Sequence, residues 1–175
     1  MQQDSTQNKL ILLFVFEKME IPISEETLIE LCSSDNEWIP NYLACKETLM
    51  QLIDAGFVYV ASQNPQTGPL YTITPDGRVC LAHFFIRIPS SIREDITNFT
   101  KENRLRYRKK QEYFSDYRKN PDGSYTVTLR IIEPAQPVLE IKMVVPDRHK
   151  AKWIFQNWKE NAPSVYATLF SQLVE

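Results

Sequence analysis

Between Leu10 and Phe16 the chain reads Leu-Ile-Leu-Leu-Phe-Val-Phe, with no polar side chain. The recurrence of Leu10, Ile11, Leu13 and Phe14 fits a helix over 7–19. A helix that is apolar around almost its whole circumference is not a surface helix, so this one is expected at the centre of a core. The run is far shorter than the roughly 18–20 residues that cross a bilayer. No longer apolar run occurs in the 175 residues, so no membrane partner is expected. The start, MQQDSTQNK, carries neither a basic n-region nor a small-residue cleavage site, which argues against a secretory leader.

Around this helix the pattern alternates in a defined order. Ile21-Pro22-Ile23 ends the first helix, because the residue before proline disfavours the α region. Ser24 is the expected N-cap of a second helix over about 24–33, with Glu25 and Glu26 in its first turn, where the dipole favours anions. SSDNEWIPN (33–41) reads as an irregular link. A third helix is expected over 40–55, with Pro40 in its first turn, a buried stripe of Cys45, Leu49, Leu52 and Ile53, and Gly56 as C-cap. FVYVAS and LYTIT, joined by NPQTGP, read as a hairpin. Thr74 or Asp76 caps a largely buried helix running through RVCLAHFFIRI to Pro89. Helix, helix, helix, strand, strand, helix is the order of a winged helix, with a helix-turn-helix and a wing; a generic small α+β domain is the alternative.

The second half reads differently. Residues 89–103 continue as a helix capped by Ser90 or Ser91, with Ile92, Ile96 and Phe99 on one face. NPDG (120–123) is a hairpin signal and EPAQP (133–137) a second turn; between and beyond them lie three strands. Tyr125, Val127, Leu129 and Ile131 share one side of the middle strand. Asp147 starts a helix with Trp153, Ile154 and Trp158 laid over the sheet. Pro163 is expected to break it, and Ser164 to cap a last helix with Val165, Leu169 and Leu173 on one face. The fold class is therefore α+β: an N-terminal winged helix-turn-helix over 1–88, a linking helix and basic junction over 89–110, and a C-terminal three-stranded antiparallel meander packed by helices over 111–175.

Charge is unevenly spread. The net charge of −2 conceals four basic residues (Lys9, Lys18, Lys46, Arg78) against eleven acidic in 1–86, and ten basic against five acidic in 87–119. A winged helix reads bases from the exposed face of its third helix, which here offers Asn41, Tyr42, Lys46 and Gln51 beside Glu47 and Asp54. Nonspecific duplex affinity comes mainly from Lys and Arg at phosphates, and SQNPQTGP in the wing has none. RLRYRKK (104–110) is the candidate source. In an extended chain Arg104, Arg106 and Arg108 would form a row facing phosphate. In a helix they would scatter, and pairing with the acidic first half is the competing role.

Catalytic and metal-ligand signals are absent. His83 and His149 lack a partner at ligand spacing, no phosphate-binding glycine pattern occurs, and Cys32, Cys45 and Cys80 are too far apart for a zinc or disulfide framework. Neither a cofactor nor a metal is expected, and the reducing cytoplasm is the expected compartment.

A resemblance adds to this. KLILLFVFEKMEIPIS at 9–24, LIDAGFV at 52–58, YTITPDGR at 71–78, IPSSIREDI at 88–96, DGSYTV at 122–127 and VPDRHKAKWIFQNWKENAPSVYATL at 145–169 together resemble a bacterial family described only as a domain of unknown function. The resemblance implies a winged-helix fold and a transcriptional regulator. YTITPDGR is also similar to the wing-to-helix junction of PadR-like and MarR-like repressors, where the Thr and Gly shape the helix entry. The functional expectation is a non-enzymatic, homodimeric DNA-binding transcriptional regulator, contacting double-stranded DNA through Asn41, Tyr42, Lys46, Gln51, Arg104, Arg106 and Arg108. The alternative is a winged-helix protein-interaction module that does not bind DNA. No effector can be named.

Overall fold

The computed structural model describes residues 4–64, 67–133 and 136–174. Among these, the chain is a mixed α+β protein with six α-helices and two three-stranded antiparallel sheets. It divides into two compact units, Met1–Leu105 and Arg106–Glu175.

In the first unit, α1 (Ser5–Met19) buries every residue from Leu10 to Phe16, as an all-round apolar helix must. Asp4 caps its start by accepting from the Thr6 N–H, and Glu20 ends it in the left-handed region at φ 61°. β1 (Ile23–Ser24) leads into α2 (Glu25–Ile29). The Ser24 hydroxyl oxygen accepts from the Thr27 N–H at 3.1 Å, the expected N-cap. α2 runs on into a π-helical turn, Glu30–Asp35, where a link was expected to begin at Ser33. Trp38 and Ile39, from the same link, are buried. Trp38 Nε1 donates to Asp95 Oδ2 at 2.7 Å, and its ring meets Phe99 edge-on at 5.7 Å.

α3 (Tyr42–Asp54) starts two residues later than expected. Asn41 is its N-cap, accepting from the Ala44 N–H, so Pro40 lies outside the helix. Cys45, Leu49 and Leu52 face inward, and Gly56 follows at φ 78°, where a side chain would strain. β2 (Val58–Asn64) and β3 (Gly68–Ile73) form the expected hairpin, and β3 also pairs with β1, giving the strand order β1-β3-β2. α4 (Pro75–Phe84) is shorter than expected. It gives way to a 3-10 turn, Phe85–Arg87, and residues 82–87 are exposed, His83 among them, whereas a largely buried helix was expected.

Thr74 ties this unit together. Its N–H donates to the Phe57 carbonyl, its hydroxyl donates to the Gly56 carbonyl at 2.8 Å, and the same oxygen accepts from the Gly77 N–H at 3.0 Å. A Cβ on Gly77 would collide with the Phe57 carbonyl and with Ile73 Cγ1. The YTITPDGR element is thus explained by geometry alone: threonine caps, and glycine permits the close approach.

α5 (Ser90–Glu112) continues nine residues beyond its expected end at 103. Residues 90–112 contain no proline or glycine, and Arg, Lys, Glu and Gln dominate the last three turns. Nothing in that composition stops a helix.

The second unit is a meander of β4 (Tyr113–Lys119), β5 (Tyr125–Glu133) and β6 (Gln136–Val145), followed by α6 (Arg148–Val174). The β4–β5 turn is held by Asp122, whose carboxylate accepts from the Ser124 hydroxyl and N–H; those bonds lower its pKa below the usual carboxylate value. Val127, Leu129 and Ile131 face α6, as the alternation predicts, and pack with Ala151, Trp158 and Ala162. Trp158 Nε1 donates to the Arg130 carbonyl at 3.1 Å. α6 does not break at Pro163. Pro163 is exposed, so the carbonyl it leaves without an N–H partner can be hydrated. Ser164 is consequently no cap, and its carbonyl accepts from Thr168 Oγ1.

Replacing Gly77 by Ala should destabilise the protein by about 1–3 kcal/mol, the usual cost of overpacking. Urea denaturation checks this; a change within about 0.3 kcal/mol would contradict the collision.

Candidate functional site

The outward side of α3 is where the sequence predicts base contacts, and it mixes exposed apolar side chains with polar and charged ones. Tyr42 is 57% exposed, Leu43 61% and Met50 50%. Among them stand one cation, Lys46, and the exposed carboxylates Glu47 and Asp54. Helical spacing puts Tyr42, Lys46 and Met50 in one row, four residues apart. On the adjacent hairpin strand β2, Tyr59 and Val60 are also exposed.

Lys46 is not free. Its Nζ lies 3.5 Å from Glu25 Oε1 and 5.9 Å from the centre of the Tyr42 ring. The Glu25 carboxylate, and after it the Tyr42 phenol, raise the Lys46 pKa above the usual lysine value. The charge persists, but it is compensated locally. Asn41 is likewise committed, since its side-chain oxygen caps α3 at Ala44. Gln51 is exposed on the last turns of the helix. Of the sequence-predicted α3 residues, Tyr42 and Lys46 meet directly, while Asn41 serves the helix start.

The arginines lie on a helix and not on an extended segment. α5 is helical throughout RLRYRKK, so the extended row of Arg104, Arg106 and Arg108 does not exist. Steps of about 200° for every two residues put Arg106 on the other side of the helix from Arg104 and Arg108. Each has its own partner. Arg104 Nη2 donates to the Lys18 carbonyl at 2.6 Å, and Nη1 lies 3.3 Å from Glu20 Oε2. It therefore neutralises the C-terminal end of α1, where a cation is favoured. Arg106 lies over the Tyr107 ring at 5.0 Å and donates to its hydroxyl. Arg108 Nε donates to Glu112 Oε1 at 2.9 Å. Of the three, only Arg104 pairs with a carboxylate of the acidic first half; Arg106 and Arg108 meet neighbours on their own helix.

No group of three His, Cys, Asp or Glu side chains that could hold a metal occurs among the described residues. Cys32 and Cys45 are buried thiols in contact, and burial, with a hydrogen bond to Cys45, pushes the Cys32 thiol well above its ordinary value.

The family model for DUF4364, a domain of unknown function, matches residues 8–173. The chain belongs to this family. No curated protein matches it, and no solved structure does. For this DUF4364 chain the site must therefore be read from its own residues.

Two features escaped the sequence reading. Leu43 sits on the outer side of α3, although an apolar residue next to a buried stripe is easily assigned to it. The end of α6 is exposed as well: Tyr166, Phe170, Leu173 and Val174 are all uncovered, with Leu173 at 80%. Trp153, expected over the sheet, is 63% exposed, while Trp158 takes that place. The missed signal on α6 was the absence of any Asp, Glu, Lys or Arg in residues 161–174.

Arg104→Ala should lower stability by about 1–2 kcal/mol, because it removes charge-assisted bonds at a helix end. Arg108→Ala, which loses an exposed i,i+4 pair, should change it by less than about 0.5 kcal/mol. Chemical denaturation of both variants distinguishes them, and the reverse ranking would refute this assignment of roles.

Proposed function

We propose that residues 5–73 form a winged helix whose third helix docks a polypeptide, making the protein a non-enzymatic, cytoplasmic interaction module. The α-β-α-α-β-β order with strand order β1-β3-β2 supports the winged-helix reading. The observation that carries the docking reading is the outer side of α3, where Tyr42, Leu43 and Met50 are exposed and the one cation is held by Glu25. Apolar groups with Glu47 and Asp54 beside them suit a segment that brings both apolar and basic side chains. Duplex phosphates, by contrast, need uncompensated Lys and Arg. The three free thiols support a reducing compartment.

A DNA-binding regulator is the second reading. It is favoured by the helix-helix-hairpin order itself and by the exposure of Tyr42, Lys46 and Gln51 on α3.

The module is proposed to act as a homodimer through the end of α6. A two-fold interface places the same patch on both partners, so a patch without charge meets itself without repulsion. Residues 161–174 are such a patch, and the exposed Tyr166, Phe170 and Leu173 supply its apolar surface.

Fluorescence anisotropy with a basic amphipathic helical peptide and with a mixed-sequence duplex, at about 50 mM salt, separates the readings. The peptide should bind and be lost in Tyr42→Ser/Leu43→Ser. Duplex binding that weakens steeply with salt and is lost in Lys46→Ala would establish the second reading instead. For the dimer, light scattering should show Phe170→Lys/Leu173→Lys to be monomeric and the natural chain dimeric; a natural chain that stays monomeric at high concentration rejects it.

A further inference from the structure

Inside the first unit lies a partly open cavity of about 200 Å³. Leu13 of α1, Leu52 of α3, Phe57 just before β2, and Phe84 of α4 give it apolar walls, and Lys9 and Arg87 also line it. These two cations stand out in a unit with eight basic and fourteen acidic residues. Arg78 pairs with Glu17, Lys46 with Glu25 and Arg104 with Glu20. Lys18 lies over Phe14, and Arg93 donates to the Ile88 carbonyl. Among the described residues Lys9 and Arg87 have no such partner, a state they share with Lys101, but of the unit's cations these two alone line the cavity, in a unit where carboxylates outnumber cations. An apolar cavity flanked by two uncommitted cations matches a molecule with an apolar body and one anionic head. Engineered cavities of about 150 Å³ hold benzene, so this one has room for a body of roughly six carbons.

We propose that this cavity binds a small apolar monocarboxylate. Its hydrocarbon part lies against Leu13, Leu52, Phe57 and Phe84, and its carboxylate accepts hydrogen bonds from Lys9 and Arg87. The apolar walls select for the body, and the charge selects the acid over the alcohol or amine of the same length. The proposal is independent of what α3 docks, because it concerns the interior side of that helix.

Equilibrium dialysis with radiolabelled hexanoate tests it on the full chain. Hexanoate should bind saturably, and hexanol and hexylammonium should compete at least about tenfold more weakly. Lys9→Ala/Arg87→Ala, two changes outside the buried core, should weaken binding by about tenfold or more. Cys80→Trp, which introduces a large side chain into the cavity lining, should abolish it, and Lys101→Ala, a cation elsewhere on the unit, should leave it unchanged. Absence of saturable hexanoate binding overturns the proposal. So does competition by hexanol equal to that of hexanoate, or a double variant that binds like the natural chain.

Discussion

The apolar girdle of α1 is the constraint from which the first unit follows. Leu10 to Phe16 present hydrocarbon in every direction, so neighbours are needed around the whole helix. α3, α4 and β3 all pack against it. Their inward residues, Leu49, Leu52, Leu81 and Ile73 among them, are buried. At about 1.5–3 kcal/mol for each fully buried large aliphatic or aromatic side chain, this cluster outweighs any surface ion pair in the molecule.

The readable parts of the sequence were those where one residue type has one physical use. Ser24 and Thr74 cap because their hydroxyls match free N–H groups, Gly56 takes a positive φ, and Asn-Pro-Asp-Gly turns a hairpin. The alternation of Val127, Leu129 and Ile131 named the buried side of the sheet. Reading failed where residues serve two structures equally well. Arg104 to Lys110 suits a helix as well as a strand, and only the helix pairs Arg108 with Glu112. Pro163 predicts a stop, yet α6 runs through it on an exposed side of the helix, where a carbonyl left without an N–H partner can turn to water. Trp38 looked like part of a link and is core, because its one polar atom has Asp95 to donate to.

The candidate site was only partly legible for a related reason. Sequence tells which residues can ionise, not which charges are already paired. Lys46 and Arg104 count as free cations in a tally, but Glu25 and Glu20 stand beside them. Asn41 can hydrogen-bond a base edge in principle, but its oxygen is occupied at Ala44. The exposed apolar residues of α3 and α6 carry more information than the charges do, because water gives them no compensation.

The arrangement around Thr74 has a mechanical consequence. A hydroxyl carries a single proton, and here it points at the Gly56 carbonyl, leaving the oxygen to receive the Gly77 N–H. Reversing the direction of that chain would leave one group unmatched, so the junction has a single setting. The rear of α3 and the front of α4 thereby meet on one residue, like two arms sharing an axle.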